Sequence, residues 1–169
     1  MYQPGDMIIY GSTGVCEVKE IIQKEYQKGE EKLFYVLAPL YQDGVIYTPV
    51  ESKVFMRPVI TKDEALALID RIPTMETAAY HSNVLRDLED HYNTYLKSHD
   101  CSDLIELAMS IYAKKQDLVS QHRKFGAVDE RFMKRAEDLL DGEFAVALGI
   151  EKNEVRAYIS AHVDTANAK

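Results

Sequence analysis

The chain contains no tryptophan, only two cysteines and no excess of positive charge. None of its apolar runs approaches the roughly 18 residues of a membrane-spanning helix. The N-terminus lacks the basic-then-apolar pattern of a secretory signal, so the cytoplasm is the expected location. Cys16 and Cys101 lie far apart, one on a predicted strand and one at a predicted helix start. Two such thiols do not make a disulfide framework, and a reduced intracellular pair is expected. The net charge of −8 has a consequence of its own. Residues 1–60 carry 6 Lys/Arg against 8 Asp/Glu, or −2, and the remainder 14 against 20, or −6. Phosphate backbones repel such a chain on average, which disfavours non-specific coating of DNA. Any nucleic-acid contact must come from a local basic patch.

Catalytic patterns are also missing. The histidines, His81, His91, His99, His122 and His162, do not pair with Cys, carboxylate or one another at a convincing ligand spacing. His99 and Cys101 are close, but zinc needs three or four ligands. There is no Gly-rich phosphate loop, nucleophile elbow or metalloprotease motif. The many carboxylates fall where solvated helix faces are expected. These absences point to a binding protein rather than an enzyme, with no cofactor and no metal.

What is present divides into two patterns. Residues 7–10 and 15–22 read as strands joined by a Gly-Ser-Thr-Gly turn, and the polar run 27–32 leads to a third strand at 33–37. Gln42-Asp43-Gly44 signals another hairpin into residues 45–48; Pro49 then breaks the ladder, and residues 54–56 can supply a last short strand. Five short strands predict a small, strongly bent sheet or SH3-like barrel over residues 1–60. Its edge either accepts a partner's strand or is covered or blunted by charge. From Thr61 the period becomes helical. Thr61 caps a first helix with carboxylates in its first turn, ending at about Arg71 before Pro73. A longer helix fits residues 76–97, with Leu85, Leu88, Tyr92, Tyr95 and Leu96 on one face. Asp100 caps the next, whose stripe is Leu104, Leu107, Ala108, Ile111 and Leu118. Gly126 interrupts, a helix follows over 129–148 with Gly149 as its left-handed cap, and a last helix covers 152–163 before a fraying end. The expected class is α+β: a β-module over 1–60 and an all-helical domain of about five helices over 61–169.

Two sets of residues are candidates for contacts. Lys114, Lys115, Arg123, Lys124, Arg131, Lys134 and Arg135 fall within 22 residues that carry a local balance of +4. A helix-loop-helix could gather them into a patch for two or three phosphates, or leave them on a solvated face with i,i+4 pairs such as Glu130–Lys134. The other set is aromatic. Tyrosines number 11, and Tyr10, Tyr26, Tyr35, Tyr41 and Tyr47 lie in the β-module. A tyrosine joins an apolar body to a polar tip, which suits interfaces, and Tyr47 beside Pro49 is the best anchor candidate.

Residues 5–18 (GDMIIYGSTGVCEV), residues 45–52 (VIYTPVES) and residues 135–149 (RAEDLLDGEFAVALG) together resemble, in order, the CarD/CdnL family of bacterial transcription regulators. The resemblance implies that the β-module is a Tudor-like RNA-polymerase-interacting domain, of a type shared with transcription-repair coupling factors, bound to the β1 lobe of the polymerase β subunit. It implies a helical domain at promoter DNA near the −10 element, where it stabilises the open complex. The polymerase contacts then fall at Lys24, Tyr47 and Pro49. The family's minor-groove wedge is a Trp, and its position falls here at Leu85, which also fits the buried stripe of its helix, the reading we favour. Arg86 follows, but Asp87, Glu89 and Asp90 replace the family's basic run. DNA contact would then rest on Leu85, Arg86, Lys114, Lys115, Arg123 and Lys124. The alternative is a protein-interaction adaptor whose acidic helical domain recruits a protein.

Overall fold

A computed structural model describes residues 1–167. The backbone divides into two compact units, Met1–Ile60 and Thr61–Lys169.

The first unit is a five-stranded antiparallel sheet: β1 (Met7–Tyr10), β2 (Gly14–Gln27), β3 (Glu30–Pro39), β4 (Ile46–Pro49) and β5 (Met56–Pro58), in the order β4-β3-β2-β1-β5. Its strands are longer than the periodicity suggests, because β2 and β3 pair almost to the tip of their hairpin, from Cys16↔Pro39 to Gln27↔Glu30. The polar run at 27–32 is therefore mostly strand. Only Lys28 and Gly29 turn the chain, and Gly29 has φ +87°, which a side chain would strain. Register shifts between Val18 and Glu20 and between Glu25 and Gln27 bend the hairpin. The last strand lies two residues later than predicted.

One face of the sheet buries Ile8, Cys16, Val18, Tyr35 and Leu37, with Tyr2, Tyr10, Ile21, Ile46, Val50 and Met56 packed around them. Tyr35 is buried together with its hydroxyl, which accepts the Tyr2 backbone N–H at 2.9 Å.

The second unit holds α1 (Lys62–Arg71), α2 (Leu85–Lys97), α3 (Cys101–Ser120), α4 (Ala127–Leu148) and α5 (Val155–Asn167). Thr61 and Glu64 form a reciprocal capping box at the start of α1, Asp100 caps α3, and Gly149 ends α4 in the left-handed conformation. The stripe Leu104, Leu107, Ile111 and Leu118 is buried as its spacing requires. The final segment begins as a single 3₁₀ turn at Lys152–Glu154 before α5, which continues past the expected end at 163 to Asn167; the end of the predicted fraying segment, residues 168–169, lies outside the described residues.

One helix is shorter than expected. Residues 76–84, read as the first half of a long helix, form a non-helical strap. Side chains hold it away from helical hydrogen bonding. The Ser110 hydroxyl donates to the Ala78 carbonyl at 2.7 Å, and Ser82 Oγ accepts from the Val84 backbone N–H at 3.1 Å. Tyr80 stacks flat on His91 with ring centroids 3.6 Å apart and donates to Asp87 at 2.6 Å. Local serine bonds of this kind compete with the helix.

Both cysteines are free and buried, and apolar burial pushes the Cys16 thiol up to about 11. A group this inaccessible stays protonated at pH 8. The native protein should therefore give almost no Ellman's-reagent signal at pH 8 and release two thiols on unfolding in denaturant; rapid native labelling at Cys16 would contradict this packing.

Candidate functional site

Strand β4 is an edge: it pairs with β3 on one side through Phe34↔Pro49, Tyr35↔Thr48, Val36↔Tyr47 and Leu37↔Ile46. The Val50 N–H bonds the Leu33 carbonyl at 3.0 Å. By the alternation of an antiparallel ladder, Thr48 and Ile46 then direct their N–H and C=O groups toward β3, while Tyr47 and Pro49 direct theirs outward. Pro49 thus sits where its missing donor costs no internal bond, and ends β4 without disrupting the sheet.

The Tyr47 side chain is 56% exposed. Lys24, from β2, places its ammonium 5.4 Å from the Tyr47 ring centroid, a cation–π approach across the sheet face. Glu20↔Val36↔Tyr47, Ile22↔Phe34↔Pro49 and Lys24↔Lys32 form successive rows across that face. Tyr47 and Pro49 thus lie on the edge strand, and Lys24 reaches the Tyr47 ring from the interior strand β2.

Sequence reasoning missed what lies next to them. Beyond Leu33 the outer side of β3 has no strand partner, because the chain turns away after Val50. A cavity of about 500 Å³ opens there, lined by Tyr26, Lys32, Leu33, Pro49, Val50 and Lys53 among others. Lys32 lies 4.3 Å from the Tyr26 ring centroid, repeating the lysine–aromatic pairing of Lys24 and Tyr47. Tyr26 is the extra residue at the register shift between Glu25 and Gln27, next to the Lys24↔Lys32 row, a placement that the local sequence does not signal.

In the helical unit the candidate basic cluster separates. Lys114 is not on the surface: its side chain is 7% exposed and its ammonium bonds Asp129 Oδ1 at 3.0 Å. The Tyr92 hydroxyl donates to the same oxygen at 2.6 Å. Burial, joined by the Asp129 hydrogen bond, holds the Tyr92 phenol far above its usual range. Lys114 is therefore a core residue with its ammonium committed to Asp129, not part of a surface patch. The helical period explains it, since 114 follows Leu107 and Ile111 on the buried stripe. Arg131 is taken by Glu89 at 2.9 Å. The expected Glu130–Lys134 pair does not form among the described residues. Lys115, Arg123, Lys124 and Lys134 remain exposed.

Leu85 also departs from the favoured reading. It is 64% exposed beside Val84, at 61%, and is not part of the buried stripe. The physical reason is the strap. With α2 starting at Leu85, the first core positions are Leu88 and Tyr92, and Leu85 sits in the opening turn at the surface. Arg86 is exposed too. Of the acids that follow, Asp87 accepts from Tyr80, a bond that lowers its carboxyl below the usual range, and Glu89 is engaged by Arg131. The structure keeps Leu85 and Arg86 available and removes Lys114.

No group of three or more His, Cys, Asp or Glu suited to a metal occurs among the described residues, and no helix there is long and apolar enough to cross a membrane. Residues 2–60, the whole β-sheet unit, match a family described as the CarD-like/TRCF RID domain. No curated protein matches the chain.

The reassignment of Lys114 is open to a direct check. Removing one partner of a buried ion pair strands the other, so Lys114→Ala should destabilise the fold by about 3 kcal/mol in urea unfolding. Lys115→Ala, one position on and exposed, should stay within about 0.5 kcal/mol.

Proposed function

The N-terminal unit belongs to the CarD-like/TRCF RID domain family of RNA-polymerase-interacting modules, and from that premise we propose that the chain docks on the β1 lobe of the bacterial polymerase β subunit and modulates open promoter complexes. RNA polymerase is the partner, and transcription the setting, that the family of the N-terminal unit supports.

The observation that carries it is the β4 edge. An outward-facing backbone N–H and C=O at Tyr47, an exposed Tyr47 ring and a lysine over that ring suit the addition of a partner strand. Backbone bonds would supply register, and Tyr47 and Lys24 the side-chain contacts. The neighbouring cavity beside Leu33 and Val50 would receive a side chain from the arriving strand. The reading is non-enzymatic: such a contact binds and does no chemistry.

The helical unit acts in this reading as the second contact. Exposed Leu85 and Arg86 at the start of α2, and exposed Lys115, Arg123 and Lys124, could reach DNA although the unit carries −6 overall. Tethering supports weak contacts of this kind, since a short connection gives effective concentrations on the order of millimolar. A factor that binds the open form better than the closed one raises the open fraction by that difference in affinity. The adaptor reading differs in having the helical unit recruit a protein instead.

Binding of the full chain to the isolated β1 region tests the docking. Tyr47→Ala is expected to weaken that binding about tenfold, as for an interface anchor, with no change in thermal stability. Lys24→Glu is expected to weaken it further at low salt. Unchanged affinity in both variants would remove the β4 edge from the interface. A higher affinity for polymerase–promoter open complex than for β1 alone, lost in Leu85→Asp, would separate DNA contact from the adaptor reading.

A further inference from the structure

An open cleft of about 600 Å³ lies on the helical unit, between the second half of α3 and the first half of α4. Tyr112, Phe125 and Met133 give it apolar walls, and Lys115, Lys134 and Glu130 give it charge. Tyr112 is 55% exposed, an unusual position for a large ring on a helix with a well-filled buried stripe. The Lys115 ammonium lies 5.5 Å from the Phe125 ring centroid. At the far end Arg156 is fully engaged by Glu137 at 2.5 Å and Asp141 at 3.3 Å, so it adds no free charge. Lys115, Lys134 and Glu130 have no ion-pair partner among the described residues. Arg123 and Lys124 immediately precede Phe125 in the chain, are exposed, and extend the positive charge beyond the cleft.

We propose that this cleft binds single-stranded DNA, with an unstacked base against Tyr112 and Phe125 and the flanking phosphates on Lys115, Lys134 and the Arg123–Lys124 turn. The inference deepens the polymerase reading by naming what the helical unit touches. Three features favour this occupant. Aromatic rings set beside cations are the usual platform for single strands, because every base offers a π-face. The rings line a concavity, which a base reaches only when it has left the duplex stack. The unpaired Glu130 carboxylate can accept from the exocyclic amino group of a base, a donor that the side chains of an acidic peptide lack. Repeated phosphates also suit cations that continue past the cleft, which a lone nucleotide would leave unused.

The full-length chain is titrated into a fluorescein-labelled oligo-dC of roughly 12 nucleotides at low salt and followed by anisotropy, with a duplex of the same length as comparison. Single strand is expected to bind about tenfold tighter than duplex, and affinity to fall as salt rises. Tyr112→Ala, at an exposed position that leaves the circular dichroism unchanged, is expected to weaken the single strand about tenfold. The double variant Lys115→Ala with Lys134→Ala should weaken it and flatten the salt dependence.

Equal or tighter binding of duplex would overturn the inference, as would an unaltered affinity in Tyr112→Ala or the absence of binding at low salt. Displacement of the oligonucleotide by a poly-glutamate peptide at matched charge concentration would reassign the cleft to acidic peptides. Binding to polymerase β1 is measured on the same samples. Loss of oligonucleotide binding with β1 binding intact sinks this inference alone; loss of β1 binding with oligonucleotide binding intact sinks the polymerase reading alone.

Discussion

Asp129 is the residue on which the helical unit turns. It lies in the first turn of α4, buried, where the exposed N–H groups of the helix start favour negative charge. A carboxylate taken out of water needs donors, and the Tyr92 hydroxyl from α2 and the Lys114 ammonium from α3 both reach its Oδ1 atom. Three helices therefore meet on one oxygen. Apolar packing fills the space around them, but it is directionless and would tolerate small rotations that this network forbids. A second polar tie repeats the logic between the same two long helices: the Cys101 thiol at the start of α3 donates to Glu143 of α4 at 2.9 Å. The exposed surfaces on α2, α3 and α4 are consequences of this geometry. With Tyr92 and Lys114 turned inward, Tyr112 and Lys115 must face out.

In the β-unit the organising constraint is the unequal length of the strands. β2 and β3 form an extended hairpin, while β1, β4 and β5 cover only part of it. The core gathers where all five overlap, around Ile8, Val18, Tyr35 and Leu37. The outer hairpin has fewer neighbours, so its side chains stay exposed and lysine–aromatic pairs replace a core. That region and the β4 edge together form the surface available for binding.

Much of this was readable in the chain, and the failures have physical causes. The β-to-helix change at Thr61, the capping residues Thr61, Asp100 and Gly149, and the stripe of α3 follow from local chemistry that context did not override. Strand ends were less legible, since β2 and β3 continue through polar residues that pairing, not hydrophobicity, holds in place. The strap at 76–84 was hidden because its determinants are distant: the Ser110 hydroxyl on another helix donates to the Ala78 carbonyl, and His91 provides the surface on which Tyr80 stacks. That error propagated to Leu85, whose burial was inferred from a helix that begins only there. Lys114 was misread for the opposite reason. Its charge suggested the surface, yet its spacing from Leu107 and Ile111 pointed inward, and Asp129, fifteen residues away, made burial tolerable.

Pro49 carries a consequence for growth as well as for recognition. An uncapped sheet edge is a template, and each strand added to it exposes another. Here the edge offers one donor at Tyr47 and then a residue with no N–H. A guest strand can satisfy itself in one alignment and gains nothing by sliding two residues along. Any strand added at β4 is thus held to one register, so the edge is selective in alignment without being long.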